Sequence, residues 1–131
     1  VLSAGSGVTH VETNAAAVPT RFIQSWLRPD EVGTTPSYSV ESVMEAEGWT
    51  VLAGEGGVRL GVAGTRLYLG QVDDTLALPQ APRLHVFVVE GSLAIGEREI
   101  RAGSVARMMD EGGRLVQPTA PGTTILVWAL D

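Results

Sequence analysis

Two residues near the start of the chain pair an imidazole with a carboxylate: His10 and Glu12, in the stretch GVTHVETN, Gly7 to Asn14. In an extended segment, side chains at i and i+2 project to the same side. The pair would therefore present both groups together, with Thr9 and Val11 pointing away. Imidazole and carboxylate suit iron, manganese, nickel or zinc, and several His with one carboxylate and open positions favour non-haem Fe(II) and oxygen chemistry. Taken alone, His-x-Glu is a weak signal, because most such pairs are solvated, and a two-ligand site binds metal poorly. The chain has 2 His and no Cys. The second, His85, sits between Leu84 and Val86, where a strand histidine is ordinarily satisfied or at the surface.

Other chemistries lack their residues. All 9 positive charges are Arg, spread from Arg21 to Arg114, against a net charge of -6. No basic run exists to neutralise a phosphate backbone, so no direct nucleic-acid binding is expected. The glycines at Gly5–Gly7 and Gly54–Gly57 precede neither a helix nor a Lys, which argues against a phosphate cradle. No nucleophile elbow accompanies either His. Asp73–Asp74 and Glu97–Glu99 read as turn and surface charges, with no calcium loop or paired-carboxylate glycosidase pattern. No apolar run is long enough to span a bilayer, and no basic stretch leads into an apolar one at the N-terminus. With the lack of Cys, these features fit a cytoplasmic protein without a disulfide framework.

The elements that must position His10 and Glu12 are short strands. RFIQSWL, Arg21 to Leu27, alternates and is expected to be a strand, flanked by Arg21 and Arg28 as surface ion-pair partners. Further strands are expected at Trp49–Ala53, Val58–Val62, Arg66–Val72, Thr75–Leu78, Leu84–Glu90, Ser92–Ile95, Glu99–Arg101, Ser104–Met109, Arg114–Gln117 and Thr123–Leu130. Turn signals at Gly54–Gly57, Ala63–Thr65, Asp110–Gly113 and Ala120–Gly122 separate them. The helical signal is weak and confined to Ser39–Gly48 and the alanines after Asn14. An all-β sandwich or barrel follows, within the size of one ordinary domain. LHVFVVEGSLAIGEREIRAGSVARM, Leu84 to Met108, reads as successive strands with sharp turns at glycines, and it resembles the central strands of a cupin, a small jelly-roll barrel. Cupin metal motifs laid on this chain put ligand positions near Leu78, Gln80 and Leu84, which do not form a ligand set. His85 is one residue off and so on the opposite face. The late motif falls in VQPTAPGTTILVWAL, which has no His. The barrel from about Gly48 to Asp131 is thus expected to be metal-free.

The first third of the chain resembles the pirin family, proteins of two cupin domains in tandem. The resemblance rests on Gly7, His10, Glu12, Gln24, Trp26, Pro29, Gly33, Pro36 and Tyr38, in order and spacing. It covers Ser3 to Tyr38; beyond Tyr38 it is architectural. It implies that residues 1–20 are terminal strands of an N-terminal cupin barrel and that residues 21–131 form a C-terminal metal-free barrel with the interdomain strand and loop. It further implies a metal, usually iron, held by three His and one Glu. His10 and Glu12 would be the last two ligands, and the first two would lie in an earlier His-x-His strand. The chain begins at Val1 within a strand-like pattern, so the expected partner is a missing N-terminal cupin segment or another copy pairing with unpaired edges near Val1–Glu12.

Three functions are carried forward from this resemblance. The first is a quercetin 2,3-dioxygenase-type reaction, with Fe(II) (or Mn, Ni or Zn) as Lewis acid and Glu12 as a base on the flavonol hydroxyl. The second is a metal-dependent regulatory module that binds a protein partner, as a transcription co-regulator does. In the third, the metal-free barrel serves only as structure. Gln24 has two readings: a hydrogen-bond partner that orients a metal ligand, or a polar residue at the interdomain seam. Phe22 and Trp26, or their opposite neighbours on the strand, are expected to pack at that seam, and Trp49 and Trp128 to be core or interface residues.

Overall fold

The computed structural model describes residues 1–43 and 48–131. In chain order the strands are β1 (Leu2–Ser3), β2 (Ser37–Tyr38), β3 (Gly48–Ala53), β4 (Thr65–Val72), β5 (Leu76–Ala77), β6 (Arg83–Glu90), β7 (Ser92–Ile95), β8 (Arg98–Arg101), β9 (Val105–Met109), β10 (Leu115–Pro118) and β11 (Thr123–Leu130). They form a five-stranded sheet, β3-β4-β11-β6-β9, a four-stranded sheet, β5-β10-β7-β8, and the separate pair β1-β2. Every named strand pairing is antiparallel. The two larger sheets face each other across one core, which makes an all-β jelly-roll barrel of the cupin type.

The core follows from period-two alternation. Leu84, Val86 and Val88 on β6, and Ile125, Val127 and Ala129 on β11, turn inward and are buried. Leu93 and Val116 meet them from the four-stranded sheet. Burying each such side chain contributes about 1.5–3 kcal/mol relative to exposure. At Gly91 (φ 73°) the chain leaves one sheet for the other, and a Cβ there would run into Thr123. The Thr123 hydroxyl in turn accepts from Ser92 N–H and lies within bonding distance of the Ser92 and Ala120 carbonyls, which fixes that corner.

The outer face of the five-stranded sheet is also apolar, with Phe87, Leu126 and Trp128 half-buried. Strands covered on both sides lose the polar half of their alternation, which is why β11 reads TTILVWAL.

Three expected elements differ. Neither Arg21–Leu27 nor the His10–Glu12 stretch enters a ladder among the described residues. Alternation sets the face of each side chain but supplies no hydrogen-bond partner. Val58–Val62 contributes a single parallel bridge, Val58 to Ala53, because the chain turns at once toward β4. Of the helical turn expected over Ser39–Gly48, residues 44–47 lie outside the described residues, Ser39–Val43 are not helical, and Gly48 already opens β3.

Candidate functional site

Residues 4–36 form an arm whose base is closed by β1 and β2, Leu2 opposite Tyr38 and Ser3 opposite Ser37. Ser6 N–H donates to Thr34 carbonyl oxygen (2.8 Å), and Gly5 is glycine because any Cβ would collide with the Thr34 carbonyl. Further out, Asn14 reverses the chain. Its Oδ1 accepts from Ala16 N–H (3.0 Å) and from the Thr20 hydroxyl (3.2 Å), and its amide donates to Val18 carbonyl oxygen (2.9 Å). Asparagine favours such local bonds over helix, so the alanines after it do not start one. The reversal lays residues 10–12 beside residues 24–26.

The structure brings all three sequence-selected residues together there. His10 Nε2 and Glu12 Oε1 are 3.0 Å apart. Gln24 Nε2 donates to the same Glu12 oxygen at 2.8 Å. Trp26 Nε1 donates to Gln24 Oε1 at 3.3 Å, leaving the Gln24 amino group to face Glu12. Trp26 is 80% exposed and Phe22 64% exposed, and the Trp26 N–H does the orienting. The signal for that role is Gln-x-Trp itself, two polar hydrogens on the same side of an extended segment.

Partial desolvation disfavours the Glu12 carboxylate, but the Gln24 hydrogen bond and the His10 imidazole outweigh it and hold its pKa below the ordinary glutamate range. His10 and Glu12 bring one imidazole and one carboxylate together, donor types that suit a metal. Among the described residues, no group of three or more His, Asp or Glu gathers to hold a metal.

The arm is tethered to the barrel at three points. Arg21 donates to Glu90 Oε1 (3.0 Å) and to Val89 carbonyl oxygen (3.3 Å) at the end of β6. Trp128 Nε1 donates to the Ser25 hydroxyl (3.4 Å) on the outer face of β11. Asp30 N–H donates to Gly61 carbonyl oxygen (3.1 Å), and Asp30 Oδ2 accepts from Ala63 N–H (2.7 Å). Gln24 lies between the first two tethers, so the five-stranded sheet positions it. His85 stays apart from this cluster. It faces outward on β6, with Arg107 and Trp128 as cross-strand neighbours, and burial followed by the Arg107 charge lowers its pKa.

Fold and site together define the class: a cupin-fold protein whose N-terminal arm presents an imidazole–carboxylate pair. No family model matches the chain. It is 32% identical, over 98% of its length, to proteins from Mycobacterium tuberculosis and Mycobacterium bovis, each bearing the name "Putative quercetin 2,3-dioxygenase", and it spans 57% of their length. A protein of the same name from Zymomonas mobilis is 43% identical over 42 residues, 32% of this chain and 18% of that protein. Among solved structures, Escherichia coli YhhW superposes with a TM-score of 0.66 at 18% identity, covering 79% of this chain and 47% of YhhW, a likeness of fold. No helix among the described residues is long and apolar enough to cross a membrane.

Proposed function

We propose that this chain is the larger part of a pirin-like, two-barrel protein, in which His10 and Glu12 complete a metal site begun by a barrel segment ahead of Val1. In this reading residues 1–20 belong to the first barrel, and residues 21–131 carry the seam and a second, metal-free barrel. The carrying observation is the convergence of His10 Nε2 and Gln24 Nε2 on one Glu12 oxygen, within 3.0 Å. The 57% coverage of the mycobacterial relatives supports a longer whole.

A bound metal, iron foremost, would supply Lewis acidity and access to oxygen for opening a flavonol ring. Of this chain's residues, His10 Nε2 and Glu12 Oε1 would hold it. Gln24, fixed by Trp26, keeps the Glu12 oxygen oriented and anionic. A Glu12 carboxylate released from that role would serve as base toward a substrate hydroxyl. The test is to supply Fe(II) and quercetin to the full-length protein and follow loss of the flavonol absorbance. Loss that exceeds a His10→Ala control is expected; equal rates refute the reading.

The exposed apolar side chains on the arm favour a second reading, in which it docks a protein partner and metal state modulates that contact. Val11 and Val32, each 82% exposed, and Trp26 lie there. An unaltered set of captured partners after Trp26→Ser with Val11→Ser would rule that out.

A further inference from the structure

The barrel is not filled at both ends. On β11 the inward side chains end in Ala129, after Ile125 and Val127, so the core thins toward the Leu130 end. A cavity of about 450 Å³ opens there, a size typical of small-molecule sites. Its wall includes Arg66 of β4, which lies in register opposite Ala129 and shares the inward face with Tyr68. The Tyr68 hydroxyl, then the Glu55 carboxylate, hold the guanidinium charged and raise its pKa.

The partner carboxylate comes from an unusual place. Glu55 stands at the tip of the turn Gly54–Gly57, whose backbone is tied by Gly54 N–H to Val58 carbonyl oxygen (2.9 Å) and Val58 N–H to Leu52 carbonyl oxygen (3.0 Å). Gly54 (φ 94°) is required because a Cβ would strike the Thr65 carbonyl. The turn is therefore fixed, while the Glu55 side chain is 83% exposed and Arg66 is 44% exposed and reachable. Two further donors point to the same space with no side-chain hydrogen bond or ion pair among the described residues: the Gln80 carboxamide, lying over Gly112 and Gly113, and Arg59 at the rim. The other acid of the wall, Asp131, lies over Gly64.

We infer that this mouth of the barrel is a binding site for a small organic carboxylate, held by the Arg66 fork with Tyr68 and Gln80, and that Glu55 occupies Arg66 when the site is empty. A guanidinium fork matches one carboxylate as well as another, so an incoming acid exchanges with Glu55 at little electrostatic loss and adds contacts to the cavity wall. This inference rests on the second barrel alone and is independent of His10 and Glu12.

Benzoate is the probe, followed by amide chemical shifts and calorimetry on the whole chain, with benzamide as the neutral isostere. Benzoate is expected to shift Tyr68, Gln80 and Glu55 resonances saturably, and benzamide to leave them in place. Glu55→Gln removes the internal competitor and should tighten benzoate about two- to fivefold, the range for releasing one exposed ion pair. Arg66→Lys keeps the charge but loses the fork and should weaken it, and Arg66→Gln should abolish it. Equal response to benzamide, binding that survives Arg66→Gln, or no tightening in Glu55→Gln overturns the inference. Thermal unfolding of each variant shows whether a loss is a loss of fold.

Discussion

Gly70→Ala tests the packing that supports the cavity wall. Gly70 lies on β4 opposite Trp49 of β3 and Ile125 of β11. A Cβ built there would sit 2.6 Å from Trp49 Cζ3, 3.0 Å from Trp49 Cη2 and 3.1 Å from Ile125 Cγ1. The indole cannot withdraw easily. Its N–H donates to Ala77 carbonyl oxygen (2.9 Å), and its ring meets Tyr68 edge-on at 5.8 Å and 74°. Two effects oppose each other. Replacing a strand glycine whose φ is not positive gains about 0.4–1 kcal/mol through the unfolded chain. Forcing a methyl into a pinned aromatic contact costs about 1–3 kcal/mol. The overlap wins, for a net loss of about 1–2 kcal/mol. With a urea slope of about 1–3 kcal/mol/M, the unfolding midpoint should fall by about 1 M. Trp49→Leu in the Gly70→Ala background should recover part of it, with a coupling of at least about 0.5 kcal/mol. A neutral or stabilising Gly70→Ala, or strict additivity with Trp49→Leu, would refute the account of the β3–β4 contact and of how Tyr68 is held.

Two further outcomes follow from the arm and the outer sheet. Gln24→Leu removes the hydrogen bond that favours the Glu12 anion, so the Glu12 carboxyl should titrate at higher pH than in the parent chain, as read by carboxyl-carbon NMR; an unchanged midpoint would show that Gln24 does not bind it in solution. His85 has a folded pKa below its unfolded value of about 6.5, so the unfolded chain takes up the proton first. Its contribution to stability is whole above about pH 6.5 and declines as the pH falls below that. His85→Asn should flatten the decline between about pH 5 and 6.5 in urea titrations, and an unchanged slope would assign it to other groups.

The barrel was legible because its strands are amphipathic in a simple way. Alternation in LHVFVVE and the glycine turns after it locate β6, β7 and β8, and the Gly96–Glu97 turn that joins β7 to β8 is where the pattern puts it. Arg21–Leu27 alternates just as clearly and is not in a sheet, since a strand needs a neighbour that a period cannot name. Of the arm, residue types and spacing select His10, Glu12 and Gln24, but the Asn14 reversal that unites them was hidden behind three alanines.

Residue order alone determined that His10 and Glu12 share a side, that the chain is all-β, and that its later barrel has no histidine set for a metal. Which residues meet was decided only by the tertiary structure. Glu12 and Gln24 are 12 positions apart and touch because one asparagine folds the chain back. Glu55 and Arg66 touch because a glycine turn and a strand converge at the thin end of the core. Both are contacts between segments whose approach is set by packing and turn geometry, quantities that no local period in the sequence encodes.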